Sequence, residues 1–175
     1  ILAVEVDPFH IRIAEEMGAD EVLEPDGKGF YRQVAELTGA RMYTPLMAKP
    51  LLIGGVDRVF DAVGSTQTLE TSLRIMANGG WYNLLGISNI GRIDWTPVWL
   101  KELTLRGLYG YKGKDDEESI EGFDAFETAL GFFKENKVDI SRMITHRFTL
   151  DRWLEALEVA LNKGANQAIK VAFTP

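Results

Sequence analysis

Short apolar runs alternate along this chain with stretches of helical period, and that alternation leaves few folds open. The first run, "ILAVEV" at Ile1–Val6, is broken only by Glu5, the pattern of a parallel strand buried on both faces. Pro8 then opens a helix with Ile11, Ile13, Ala14 and Met17 on its apolar side, and Gly18 suits a left-handed C-cap. "DEVLEP" gives another short strand, and "KGFYRQVAELTG" a helix ending at Gly39. "VDRVFDAVG" is again a strand. "STQTLETSLRIMANGG" follows as a helix with Ser65 or Thr66 as N-cap and Leu69, Leu73 and Met76 facing inward. "WYNLLGI" and "LTLRGLYGY" are two more strands. Elements alternating at this spacing imply βαβ units, hence an α/β fold with a doubly wound parallel sheet covered by helices on both faces.

Other stretches are less regular. "ARMYTPLMAKPLLIGG", Ala40 to Gly55, has no clean period, and its two prolines forbid one regular element. An extended connection or a hairpin covering a sheet edge would satisfy it. From Asp115 to Glu135 the pattern is that of a long amphipathic helix. "MITHRFTL", the helix "DRWLEALEVALNKG" and the strand "QAIKVAF" complete the chain. There is no internal repeat or low-complexity tract, which excludes a solenoid or a disordered tail.

The 175 residues are 46% hydrophobic, enough for one compact domain or one domain plus part of another. A formal charge of -7 and a pI near 4.9 argue against nucleic-acid or anionic-membrane partners, which need a surface excess of Lys and Arg. Cysteine is absent, so no disulfide framework or thiolate metal site can form, and His10 and His146 are the only imidazoles. No apolar run approaches the roughly 20 residues that span a bilayer, and no leader pattern is present. The expectation is a soluble, cytoplasmic protein. Its first residue is Ile rather than Met, so a chain that has lost its natural start is also expected.

Glu5 is the sharpest local signal. A carboxylate at the carboxyl end of such a strand can accept both ribose hydroxyls of an adenosine and would repel a 2′-phosphate, which favours NAD over NADP. A glutamate that merely ends a strand at the solvent edge explains it equally well. "FDAVG" and "LLGI" each put a glycine, Gly64 and Gly86, at the carboxyl end of a strand, where ligands of open α/β sheets sit; ordinary strand-to-helix turns are the alternative. A lone His146 is more often structural than catalytic. His10, on the first helix, offers at most a polar contact near the adenosine. The acidic run Asp115 to Glu118 suits a solvated first helical turn, and Trp95, Trp99, Phe132 and Phe133 suit core or interface.

Taken in order, these segments resemble the C-terminal half of the zinc-dependent medium-chain alcohol dehydrogenase family. "ILAVEVDPFHIRIAEEMGADEVLEP" is similar to its second strand, following helix and third strand, and "GVDRVFDAVGSTQTLETSLRIMANGGWYNLLGI" to its next two strands and the helix between them. "LTLRGLYG" resembles the strand whose backbone holds the nicotinamide carboxamide, and "MITHRFTLDRWLEALEVALNKGANQAIKV" the return into the catalytic domain. The resemblance implies residues 1–139 as NAD-binding domain lacking its first strand and glycine loop, and 140–175 as a segment of the catalytic domain. It puts Glu5 on the adenosine ribose with His10 beside it. Ala62, Val63, Gly64, Leu85, Gly86 and Ile87 fall along the nicotinamide half, Tyr109 and Gly110 beside the carboxamide, and Lys170 toward the pyrophosphate. A cation in the apolar strand "AIKVAF" independently calls for a partner, unless it snorkels.

The implied reaction of the intact enzyme is reversible hydride transfer between an alcohol and NAD, the zinc acting as Lewis acid from an N-terminal domain. The substrate is then a small alcohol, aldehyde or ketone. Without the glycine loop that supplies the main pyrophosphate contacts, the present chain is expected to be inactive and to bind NAD weakly or not at all. The family implies a homo-oligomer, dimer or tetramer, joined through an edge strand near Ile93–Leu105, with Ile93, Trp95 and Trp99 as apolar anchors. A methyltransferase using S-adenosylmethionine and a zinc-free quinone or enoyl reductase are the rival readings. The parallel continuation through "TLRGLYG" and "QAIKVAF" disfavours the first, and Glu5 the second. The segment Ala40 to Gly55 is longer than the family's usual link.

Overall fold

The structure, a computed structural model, describes residues 1–46, 48–86, 91–108 and 125–175. The chain divides into two compact units, Ile1–Glu24 with Lys112–Pro175, and Pro25–Tyr111.

The first unit begins with β1 (Leu2–Val4), α1 (Pro8–Glu16) and β2 (Glu21–Leu23). Asp7 caps α1, its Oδ1 accepting from the backbone N–H of Phe9 at 2.9 Å and of His10 at 3.2 Å, while Pro8 supplies a preset φ at the first helical position. β1 and β2 pair in parallel from Leu2↔Glu21 to Val4↔Leu23. The burial expected on both faces of β1 is not found: Val4 is 47% exposed and Leu2 and Ala3 are half-buried. Among the described residues β1 has a strand neighbour on one edge only, so an apolar sequence lacks part of the surface that would cover it.

The second unit opens with α2 (Lys28–Thr38), which buries Phe30, Tyr31, Val34 and Ala35 and ends on Gly39 in the left-handed region at φ 68°. Ala40 to Gly55 forms an antiparallel hairpin, β3 (Arg41–Tyr43) with β4 (Leu51–Ile53), which buries Leu51 and Leu52. Then come β5 (Val56–Asp61), α3 (Thr66–Ile75), β6 (Met76–Leu84), α4 (Thr96–Leu100) and β7 (Thr104–Gly107). The three strands are parallel in the order β5-β6-β7, with Asp61 level with Leu84 and Leu84 level with Gly107. Their carboxyl ends therefore form one ledge. Leu69 and Leu73 of α3 pack with Met76, Tyr82 and Leu103 over this sheet, and Val56, Val59, Leu84, Ile93 and Val98 close around them. Each large aliphatic side chain buried there contributes about 1.5–3 kcal/mol.

The boundary between α3 and β6 differs from the sequence expectation. β6 begins at Met76, directly after the helix, rather than at Trp81. The carbonyls left open at the helix end are taken by Lys101, whose side chain is almost fully buried. Its Nζ donates to the carbonyls of Leu73 at 3.4 Å, Arg74 at 3.0 Å and Met76 at 2.7 Å. A buried cation in this place completes the acceptors that a helix terminus leaves unpaired.

The remainder of the first unit comprises α5 (Ala125–Lys134), β8 (Ile144–Phe148), α6 (Trp153–Leu161), α7 (Lys163–Asn166) and β9 (Lys170–Phe173). β8 and β9 pair in parallel. The single helix expected after "MITHRFTL" is broken at Asn162, and a left-handed Gln167 turns the chain into β9. The part of the expected long helix before Ala125, with the acidic run Asp115 to Glu118, lies outside the described residues.

Candidate functional site at the strand ends

Asp61 ends β5, and six neighbouring groups are fixed on it. Its Oδ1 accepts from the backbone N–H of Val63 at 2.9 Å and of Gly64 at 2.8 Å. Its Oδ2 accepts from the hydroxyls of Thr68 and Tyr82, both at 2.7 Å. Its own carbonyl receives the N–H groups of Leu85 at 2.9 Å and Gly86 at 3.0 Å. One residue thus holds both loops that leave the central strands. Burial pushes the carboxyl up, but the bonds from Gly64, Thr68, Tyr82 and Val63 outweigh it and hold Asp61 below the usual carboxylate range. Burial and the adjacent carboxylate drive the Tyr82 hydroxyl well above its ordinary value, so it remains a donor at physiological pH.

The loops meet at their glycines. A Cβ on Gly86 would lie 2.6 Å from the Val63 carbonyl oxygen and 2.7 Å from the Gly64 nitrogen; one on Gly64 would lie 3.0 Å from the Gly86 carbonyl. Gly64 also has φ +73°. Both glycines are demanded by backbone packing against each other. What the pair leaves open to solvent is apolar, with Val63 65% and Leu85 50% exposed. Ser65 starts α3 beside them with a reciprocal capping box, its Oγ accepting from the Thr68 N–H at 3.0 Å and Thr68 Oγ1 accepting from the Ser65 N–H at 3.0 Å. Thr66 Oγ1 accepts from the Gly91 N–H at 2.8 Å.

Of the residues named from the sequence, Ala62, Val63, Gly64, Leu85 and Gly86 are thus brought together. Ile87, Tyr109 and Gly110 lie outside the described residues. In the other unit, Glu5 and His10 are neighbours, with Oε2 of the first 3.9 Å from Nδ1 of the second. Glu5 Oε1 accepts from the N–H of Val6 at 2.7 Å and of Asp7 at 3.2 Å, which leaves Oε2 as its open oxygen. Nε2 of His10 lies 3.3 Å from the Ala168 carbonyl. Lys170 is exposed at the start of β9 and its ammonium has no partner among the described residues, so the partner that an apolar strand suggests is not seen there. His146 stacks on Phe148, ring centroids 6.5 Å apart, and Nδ1 lies 3.0 Å from Thr145 Oγ1.

Sequence reasoning picks out the glycine of "FDAVG" and passes over Asp61. The signal was available: a carboxylate at the end of an apolar strand, the same pattern that draws attention to Glu5. Among the described residues no group of His, Asp and Glu is arranged to hold a metal ion, so this part of the chain offers no donor set for zinc. Nor is any helix there long and apolar enough to cross a membrane.

Comparison with known proteins agrees with this architecture. L-idonate 5-dehydrogenase of Vitis vinifera is 28% identical over 178 residues, covering 99% of this chain and 42% of the relative. Sorbitol dehydrogenase of Arabidopsis thaliana is 26% identical, covering 99% and 42%. The crystal structure of 2R,3R-butanediol dehydrogenase from Bacillus subtilis superposes with a TM-score of 0.75 at 26% identity, covering 100% of this chain and 43% of that one. The chain therefore spans less than half the length of the relatives it matches. Residues 1–135 match the profile of the zinc-binding dehydrogenases, and with the parallel βαβ order and the paired glycine loops this places the chain in the zinc-binding dehydrogenase family.

Proposed function

We propose that this chain is the greater part of the cofactor domain of an oxidoreductase that transfers hydride reversibly between an alcohol or polyol and NAD. The observation that carries the proposal is Asp61, which fixes Val63–Gly64 and Leu85–Gly86 side by side at the carboxyl ends of adjacent parallel strands. Crevices at such strand ends are where open α/β sheets take dinucleotides. NAD, when bound, accepts the hydride at its nicotinamide ring. The exposed side chains of Val63 and Leu85 offer that ring an apolar seat, and Ala62 lies beside them. Tyr109, Gly110 and Ile87 complete this half in the family resemblance. In the other unit, Oε2 of Glu5, which takes no backbone N–H and has His10 Nδ1 3.9 Å away, would accept from an adenosine ribose, and Lys170 would supply charge toward the pyrophosphate.

Zinc donors would come from parts of the enzyme that this chain does not span, and residues 140–175 would belong with that catalytic domain. The names of the relatives favour a polyol or secondary alcohol as substrate. Alone, the chain is proposed to be inactive. The complete enzyme would be a cytoplasmic homo-oligomer. β7 has a strand neighbour on one edge only among the described residues, and Trp95, Trp99 and Leu105 near it are 49%, 69% and 37% exposed, which suits strand pairing between two copies.

The test is a thermal-shift comparison on the complete protein. NAD is expected to raise the melting temperature and S-adenosylmethionine to leave it unchanged; the opposite ranking would overturn the proposal. On the present chain, calorimetry should find no micromolar NAD affinity and light scattering a species larger than one copy.

A further inference from the structure

A second recess of the Pro25–Tyr111 unit lies apart from the strand ends. It is a cleft of about 750 Å³ between the start of α2, the turn of the β3–β4 hairpin and the outer side of α3. None of the residues assigned to the cofactor lines it. Pro25, Phe30, Pro45, Leu46 and Pro50 give it apolar walls, and Thr44, Gln67 and Thr71 place two hydroxyls and an amide among them.

Its charge is opposite to that of the chain. The protein has 26 acidic against 19 basic residues, yet the lining contains Lys28 and Lys49 and no carboxylate. Lys28 is exposed and has no ion-pair partner among the described residues. Lys49 is held by Glu70 at 2.5 Å but keeps 55% of its side chain exposed, so it can still face a ligand. The hairpin wall is itself anchored. Arg74, buried on α3, donates to the Lys49 carbonyl at 3.0 Å and pairs with Asp94 at 2.5 Å, which fixes the backbone on which Lys49 and Pro50 stand. Apolar walls, a few polar groups and two ammonium groups, one without an ion pair among the described residues and one half-exposed beside Glu70, are the composition of a site for a small molecule with an apolar body and an anionic head.

We infer that this cleft binds a small amphipathic anion, an aromatic or aliphatic body carrying one phosphate or carboxylate, at a site separate from the cofactor. The hairpin that forms one wall lies in the segment Ala40 to Gly55, which the family resemblance sets apart as longer than the usual link.

Phenyl phosphate is the probe. Titrated into the isotopically labelled chain, it should shift the amides of Gly27, Lys28, Thr44, Gln67 and Thr71 saturably, with a dissociation constant of roughly 1 mM. Inorganic phosphate, lacking the body, and phenol, lacking the charge, should each bind about tenfold more weakly. Lys28→Ala with Lys49→Ala should weaken phenyl phosphate about tenfold and leave the spectrum away from the cleft unchanged. Thr71→Trp, which fills the cleft from the helix side, should abolish the shifts, and it keeps the test decisive if the double variant is unstable. Shifts confined to other regions, phenol binding as tightly as phenyl phosphate, or undiminished affinity in a folded variant would overturn the inference.

Discussion

The Tyr82 hydroxyl donates to the Asp61 carboxylate at 2.7 Å, and the two groups alter each other's proton affinity in opposite directions. Tyr82 is 2% exposed and Asp61 5%, so neither can exchange its partner for water. Replacing Asp61 by Ala should destabilise the chain by about 3 kcal/mol, because it leaves two backbone donors and a buried phenol unpaired. Asp61→Asn, which keeps an acceptor toward Val63 and Gly64, should cost about half as much. Chemical denaturation of the two variants against the parent checks the order; equal losses would show that the carboxylate shape is irrelevant.

The same carboxylate sets an acid-side dependence. Its native value lies below the unfolded 3.8, so the stability it contributes is present above pH 3.8 and is lost as pH falls through the lower native value. Stability measured between pH 5 and the acid limit, about pH 2, should decline less steeply in Asp61→Asn than in the parent. Parallel curves would exclude Asp61 as a source of the decline.

Lys101 should behave in the opposite half of the pH scale, and in a less intuitive direction. Burial, with repulsion from Arg74, lowers its ammonium from 10.5 to about 8. Above about pH 8 the unfolded chain then binds more protons than the native one, so the penalty for burying the charge shrinks as pH rises through the window from 8 to 10.5. That gap corresponds to roughly 3 kcal/mol in total, of which about 2 should be recovered between pH 7 and 9.5, before the tyrosines interfere. Denaturation midpoints of the parent should therefore rise in this range relative to Lys101→Met. Identical slopes would place the Lys101 pKa near its ordinary value.

Two glycine replacements should have opposite signs. Gly86→Ala forces a methyl group into the Val63–Gly64 backbone and should cost about 2–3 kcal/mol. Gly131→Ala in α5 meets nothing within 4 Å and gains helix propensity, so it should stabilise by about 0.5–1 kcal/mol. Melting temperatures of the two variants, moving apart from the parent, provide the check.

Ser65→Ala removes the capping box at the start of α3 and should cost about 1 kcal/mol. Since Thr68 would still bond Asp61, the loss should appear as fraying at the helix start, seen as faster amide exchange at Thr66–Leu69, rather than as global unfolding.

The sequence by itself determined the order and kind of the elements. Pro8, Gly39 and Ser65 mark helix ends through local chemistry that needs no distant partner, and they hold in the structure. The segment "VDRVF", with its β-branched and aromatic residues, likewise reads as a strand from its own sequence. The tertiary structure alone decided what those ends are for. Asp61 becomes the joint of two loops only once parallel pairing sets Leu84 level with it, 23 residues further along the chain. Lys101 is an ordinary surface residue in a sequence; folding brings around it two carbonyls from the last turn of α3 and that of Met76, which follows the helix. Period and propensity are properties of neighbours in sequence, whereas the proton affinity and hydrogen bonding of a buried group depend on atoms that the chain brings together only by folding.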